Sequence, residues 1–335
     1  MNFITRTELG RWLDHLAEEK TLIAPRVVGG VELYRPVKNS QEMVWPFHRP
    51  ILSVKEYFFP PTERLLTIKK FDHQVELIET LPKGEKVIFG VRPCDARGVK
   101  ILDALFLEKA PVDPYYARRR LDTAVIGLAC REMGPSCFCT SMGGAPDSTE
   151  GMDLLLTELE DGFCLEVISQ RGEQLLEGVT SKMVSRETPR PRTGELVPRP
   201  QMDTWPAYFN EPLWARLAEG CLSCRICAYI CPTCRCFDLR DESLHPGNGR
   251  NEYERIRCWD SCASEAYRRI AGGHNPRDEK GERLRNRFYC KFYYYSKQYG
   301  LGEVVACTGC GRCIDYCPVG IDITEVLGHV VEVGS

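Results

Sequence analysis

Two stretches of this chain share one spacing. Cys221-Leu-Ser-Cys224-Arg-Ile-Cys227-Ala-Tyr-Ile-Cys231-Pro232 and Cys307-Thr-Gly-Cys310-Gly-Arg-Cys313-Ile-Asp-Tyr-Cys317-Pro318 both read C-x2-C-x2-C-x3-C-P, the bacterial iron–sulfur run. Three thiolates so spaced wrap one face of a cubane, and the intervening backbone N–H groups point at the sulfurs. The fourth cysteine starts the next helix, faces away and ligates the other cluster. Cys221, Cys224, Cys227 and Cys317 are therefore assigned to one [4Fe–4S] cluster, and Cys307, Cys310, Cys313 and Cys231 to a second. Zinc also accepts four thiolates, but its modules usually draw them from separated C-x2-C pairs rather than from runs of four ended by proline.

The segment between the two runs is too long for a small β-rich ferredoxin. Tyr253, Ile256, Trp259, Ala263, Ala266 and Ile270 recur at steps of three and four and predict a helix over 249–273, ended by Gly272-Gly273. A second helix is expected over 279–298, stopped near Gly300. The expectation is an α-helical dicluster ferredoxin domain over 206–335.

Before that domain the pattern is α/β. Thr5-x-x-Glu8 reads as a capping box opening a short helix with Leu9, Trp12, Leu13 and Leu16 on one face. An irregular, proline-punctuated stretch follows to about residue 62. Lys86–Val91 and Thr123–Ala129 read as buried strands, with a helix over 96–107 between them. That is a βαβ unit with parallel strands. Residues 153–159 and 163–169 read as a hairpin closed at Asp161-Gly162. Six prolines among residues 185–212 mark a linker, so an α/β domain is expected over 1–200.

A third group of cysteines belongs to this α/β half. Cys94 follows the first buried strand, Cys130 ends the second, and Cys137-Phe-Cys139 comes soon after. In a right-handed βαβ unit both strand ends lie at one sheet edge, where open α/β sheets bind ligands. Cys94, Cys130, Cys137 and Cys139 are thus candidates for a third [4Fe–4S] cluster, with Asp95 as an alternative ligand. The competing reading is four small buried residues.

Cys234, Cys236, Cys258 and Cys262 make another quartet, read as packing around the first run, with Cys258 and Cys262 sharing a helix face. Cys164 and Cys290 read as structural. The six histidines show no i,i+4 pair, so none reads as a ligand. Arginines 255, 257, 268, 269, 283, 285 and 287 alternate with acids and read as a solvated helix face; a docking face for a partner subunit is the alternative.

Composition narrows the setting. The 335 residues are 43% hydrophobic and 27% charged, with a net charge of −3, which gives no reason to expect nucleic acid as a partner. No signal peptide and no membrane span are legible. Eighteen cysteines without a secretory signal favour metal over disulfides and a cytoplasmic location. No G-x-G-x-x-G after a strand, P-loop or nucleophile elbow is present.

These segments together resemble a family. Ser53–Pro60, Gly90–Asp95, Cys137–Ser141, Cys231–Asp238, Ala271–Arg277 and the final cysteine run with Ile321-Asp322 are similar to the iron–sulfur β subunit of cytosolic sulfhydrogenases and the A subunit of anaerobic sulfite reductase. One departure is Cys290-Lys-Phe292, where the family pattern leads one to expect histidine first. The resemblance implies a non-catalytic electron-transfer subunit. It would stand between a flavin subunit acting on NAD(P)H and a catalytic partner: a nickel–iron hydrogenase, a sulfite reductase or a heterodisulfide reductase-type complex. Two rivals remain: a free-standing iron–sulfur reductase binding a small substrate in the N-terminal domain, and a protein whose clusters serve only structure or redox sensing.

Overall fold

Val87, Ile88, Phe89 and Val91 are all fully buried, and a strand apolar on both faces needs a layer on each side. The computed structural model, which describes residues 2–71, 73–179, 182–183, 188–245, 251–267, 269–299 and 304–334, supplies both. Its larger sheet has eight strands in the order β10-β1-β9-β8-β7-β6-β2-β3. They are β1 (Asn2–Thr5), β2 (Thr21–Val28), β3 (Val31–Pro36), β6 (Lys86–Val91), β7 (Thr123–Leu128), β8 (Leu154–Glu158), β9 (Gly162–Val167) and β10 (Lys182–Met183). The four central strands β2, β6, β7 and β8 run parallel, and the flanking ones are antiparallel.

Side chains alternate between the two faces of β6. Val87 and Phe89 join the core under α1 (Arg6–Glu19) with Leu9, Trp12, Leu13 and Leu16. Ile88 and Val91 join the opposite core under α2 (Pro93–Phe106) and α3 (Pro114–Leu121), with Val99, Leu102, Phe106 and Tyr116. Each such aliphatic or aromatic side chain contributes about 1.5–3 kcal/mol by leaving water. The Thr5–Glu8 capping box forms as expected, as do the parallel β6–α2–β7 unit and the β8–β9 hairpin.

Strands β2 and β3 lie in the stretch expected to be irregular. Pro25 obscured β2, since proline cannot donate to a ladder. It is accommodated because β2 pairs with β6 only through Thr21–Ile23.

A second sheet of four antiparallel strands, ordered β11-β12-β4-β5, draws on both halves of the chain. It comprises β4 (Thr62–Phe71), β5 (Gln74–Glu79), β11 (Phe237–Ser243) and β12 (Glu252–Trp259). β12 overturns the helix expected over 249–273, and the C-terminal half is mixed rather than helical. The strand period was hidden by a register shift between Arg255 and Ile256; such a bulge breaks the period of two, leaving Tyr253, Ile256 and Trp259 at a helix-like step. The longer helices of this half are α4 (Leu213–Gly220), α5 (Lys280–Tyr289) and α6 (Ile323–Gly334), with shorter helical segments between. α5 continues through a π-helical turn, Cys290–Tyr294, into Tyr295–Tyr299; Gly300, the expected stop, lies outside the described residues. Trp205, fully buried and stacked on Phe292 at 5.3 Å, centres the core that joins α5 and α6 to Phe138.

The arginines are not one solvated face. Arg257 is buried against Glu63 and Asp113, and Arg283 and Arg287 are buried as well; Arg268 lies outside the described residues. Among the described residues, no helix is long and apolar enough to cross a membrane.

Candidate metal centre

The two cysteine runs repeat not only in spacing but in backbone. Positions three and five of each are left-handed: Ser223 (φ 53°) and Arg225 (φ 68°) in the first, Gly309 (φ 63°) and Gly311 (φ 72°) in the second. Alternating hand in this way turns successive N–H groups inward into an anion-binding concavity. The N–H of Ser223 donates to Cys221 Sγ at 3.4 Å, and that of Gly309 to Cys307 Sγ at 3.5 Å. The N–H of Ile321 donates to Cys317 Sγ at 3.2 Å.

Only the second run needs glycine for space. A Cβ on Gly309 would sit 2.4 Å from the Phe138 carbonyl, and one on Gly311 2.3 Å from that of Ser136. The Phe138 N–H donates to Gly309 O at 2.8 Å. The Cys137-Phe-Cys139 loop of the N-terminal half is therefore pressed against the second run. Ser223 and Arg225 adopt the same conformation with a side chain in place, each at a strain of about 1–3 kcal/mol.

Cys221, Cys224, Cys227 and Cys317 line one small cavity, with Cys313 on its wall. Cys307 lies beside Cys313 and Cys231, and Cys313 beside Cys310 and Cys231, so the second expected set also converges. Burial pushes the Cys307 thiol up to about 12 and the Cys313 thiol to about 11. Such thiols give up protons when a metal binds.

The third set lies at the carboxyl ends of β6 and β7. Cys94, Cys130, Cys137 and Cys139 line a cavity of about 600 Å³, and Cys310 of the second run borders it too. Arg49 reaches in, its Nη1 3.6 Å from Cys137 Sγ, and pairs with Asp315. Asp95 is no alternative ligand. Both its oxygens accept from Arg312, at 2.6 and 2.8 Å, and neither side chain is exposed at all. Arg312 also donates to Pro50 O at 3.0 Å, so this pair bolts the second run to the strand ends.

Two cations lie among these thiols: Lys291, and Arg287, which the sequence placed on the solvated arginine face. Lys291 donates to Cys231 Sγ at 3.0 Å, Thr233 Oγ1 at 3.1 Å and Cys234 Sγ at 3.5 Å. Arg287, four residues earlier, is 5% exposed and lies nearest Cys227 and Cys313. Burial opposes its charge, and the Cys227 and Cys313 sulfurs, in their thiolate form, raise its pKa well above the ordinary range. The only legible signal was their i,i+4 spacing on a helix.

The residues fit iron–sulfur groups on internal grounds. Arg287 Nε, Thr308 Oγ1 and Arg49 Nε are buried without a hydrogen-bond partner, each beside one of the three thiol sets; buried polar atoms are rarely left so. Among the described residues no three metal-binding side chains are drawn tightly enough for a single ion. A zinc ion would need its sulfurs about 2.3 Å from one point, whereas a cubane spreads them over its corners.

Comparison with known proteins agrees. Residues 220–321 match the 4Fe-4S dicluster domain family. Over 312 residues the chain is 33% identical to sulfhydrogenase 2 subunit beta of Pyrococcus furiosus, covering 89% of each protein. The chain belongs to the sulfhydrogenase β-subunit family. Like the family it joins, it is an iron–sulfur, electron-transfer protein with two [4Fe–4S] clusters. No solved structure matches it significantly.

Proposed function

We propose that this sulfhydrogenase β-type chain relays electrons between an NAD(P)H-linked flavin subunit and a catalytic redox partner of the hydrogenase, sulfite reductase or heterodisulfide reductase kind. In this reading Cys221, Cys224, Cys227 and Cys317 hold one cluster, Cys307, Cys310, Cys313 and Cys231 the second, and Cys94, Cys130, Cys137 and Cys139 a third. Bound clusters supply one-electron acceptors; the chain supplies their spacing, charge and exclusion of water. The observation that carries the reading is continuity. Cys313 borders the cavity of the first set and Cys310, three residues away, borders the cavity of the third.

The two ends differ in exposure. Cys224 is exposed, and Leu222, Ile226 and Val319 around it are exposed apolar residues, which suits transfer to a docked partner. The third set lines a cavity whose wall includes the cationic Arg49 and Arg92.

The third cluster has a direct test. Replacing Cys137 and Cys139 by serine is expected to remove about four irons and four sulfides per chain and leave the two clusters of the cysteine runs in place. Iron and sulfide analysis of the anaerobically purified chain reads this. An unchanged count removes the third cluster and makes the N-terminal half a scaffold.

A further inference from the structure

Four cysteines outside all three sets share one neighbourhood next to Cys231. Cys236 directly precedes β11 and Cys262 follows β12. Phe237 pairs with Trp259, and the Asp260 N–H donates to Cys236 O at 2.9 Å. The open end of this hairpin brings the Cys236 and Cys262 thiols into hydrogen-bonding contact. Cys234 and Cys290 lie close enough to Cys262 to act on it electrostatically. Cys290 opens the π-helical turn, a feature frequent at functional sites. Its neighbour Lys291 is bonded to Cys234 Sγ at 3.5 Å. Cys258 stands apart, on β12 opposite Asp238, where Arg240 donates to its sulfur at 3.4 Å.

The charge around this group is one-sided. Lys55 is 2% exposed and Lys291 4%. Lys55 Nζ lies 3.8 Å from the Trp259 ring centre and donates to Tyr229 O and Cys234 O. Arg235 stacks on Tyr295 at 4.9 Å, with Cys290, Cys236 and Cys234 as neighbours. Two other buried cations, Arg257 and Arg312, pair with the carboxylates of Glu63 and Asp95, whereas Arg287 lies among the thiols of the cysteine runs. Among the described residues no ion pair joins a carboxylate to Lys55, Lys291 or Arg235. A buried charge without a counter-charge is strongly unfavourable, so the missing anion belongs among the sulfurs. Among the described residues no three side chains are arranged around a single ion.

We propose that Cys234, Cys236, Cys262 and Cys290 hold a further iron–sulfur cluster, with Lys55, Lys291 and Arg235 as its counter-charges. Lys291, bonded to both Cys231 and Cys234, then lies between this group and Cys231, a ligand assigned to the second cluster, and the further cluster forms a branch beside the relay. The inference goes beyond the relay reading, because metal content does not depend on where electrons flow.

The test compares the full-length chain, loaded and purified anaerobically, with its Cys262→Ser/Cys290→Ser double variant and a Cys258→Ser control. The double variant is expected to lose about four irons and four sulfides while keeping the EPR signals of the two cysteine runs; Cys258→Ser loses none. Unchanged iron in a folded double variant overturns the proposal. So does a zinc ion in the parent chain that the variant lacks, or a Cys236–Cys262 disulfide found by mass spectrometry. Should the double variant not fold, the single Cys262→Ser and Cys290→Ser variants decide. Mössbauer conversion of one cubane to a three-iron form supports the site, and no conversion in either overturns it.

Discussion

Asp95→Ala is expected to destabilise the chain by about 3–5 kcal/mol, the cost of leaving a buried cation without its partner. Neither Asp95 nor Arg312 is exposed, and the two make paired hydrogen bonds. Asp95 sits in the first turn of α2, directly after the β6 strand end. Arg312 sits inside the second cysteine run, between Cys310 and Cys313. Breaking the pair therefore loosens the join between the run and the sheet edge, and iron in the second cluster should become more labile as well. The double variant Asp95→Ala/Arg312→Met should recover part of the loss, since replacing a buried ion pair by apolar groups is often neutral. Anaerobic denaturant unfolding followed by tryptophan fluorescence reads both. A loss below about 1 kcal/mol in Asp95→Ala would mean that water reaches the pair and that it does not join the halves.

Lys291→Met is the second large effect. The ammonium donates to Cys231 Sγ at 3.0 Å, and the side chain is 4% exposed, so bulk water screens it poorly. Reduction adds negative charge to a cluster, and a cation nearby favours the reduced form. A unit charge about 6 Å away contributes about 2–3 kcal/mol at an effective dielectric near 20, which is about 100 mV for a one-electron couple. The variant's second cluster should therefore titrate at a potential lower by about 100 mV, with the cluster of Cys221, Cys224, Cys227 and Cys317 shifted less. Redox titration monitored by EPR separates the two, and equal potentials in parent and variant would exclude Lys291 from tuning.

Legibility followed how local each signal was. The cysteine runs, the Thr5–Glu8 cap and the β6–α2–β7 unit are set by spacing within a few residues, and they were readable. β12 was misread because its bulge at Arg255/Ile256 erased the period of two that identifies a strand. Of its two partners, β11 is a neighbour in the chain but β4 lies far back, so nothing near β12 announced that second pairing. Arg257 read as a surface residue because its partner Glu63 is equally remote. Cys290 read as structural and Cys258 as a possible companion of Cys262, yet the hairpin puts Cys258 beside Arg240 and the helix after α5 brings Cys290 across. Contacts of that kind are made by tertiary packing, and no single-sequence pattern carries them. The left-handed residues were half visible: Gly309 and Gly311 invite the conformation, but Ser223 and Arg225 conceal it.

The measurement closest to the central claim is EPR of the anaerobically purified, full-length chain during reductive titration. The relay account predicts that the [4Fe–4S] clusters of both cysteine runs reduce and that their signals broaden by mutual spin coupling, because the two sets share the Cys227, Cys231 and Cys313 neighbourhood. Clusters that stay oxidised down to the potential of the reduced nicotinamide couple, or that reduce as magnetically isolated centres, would contradict it.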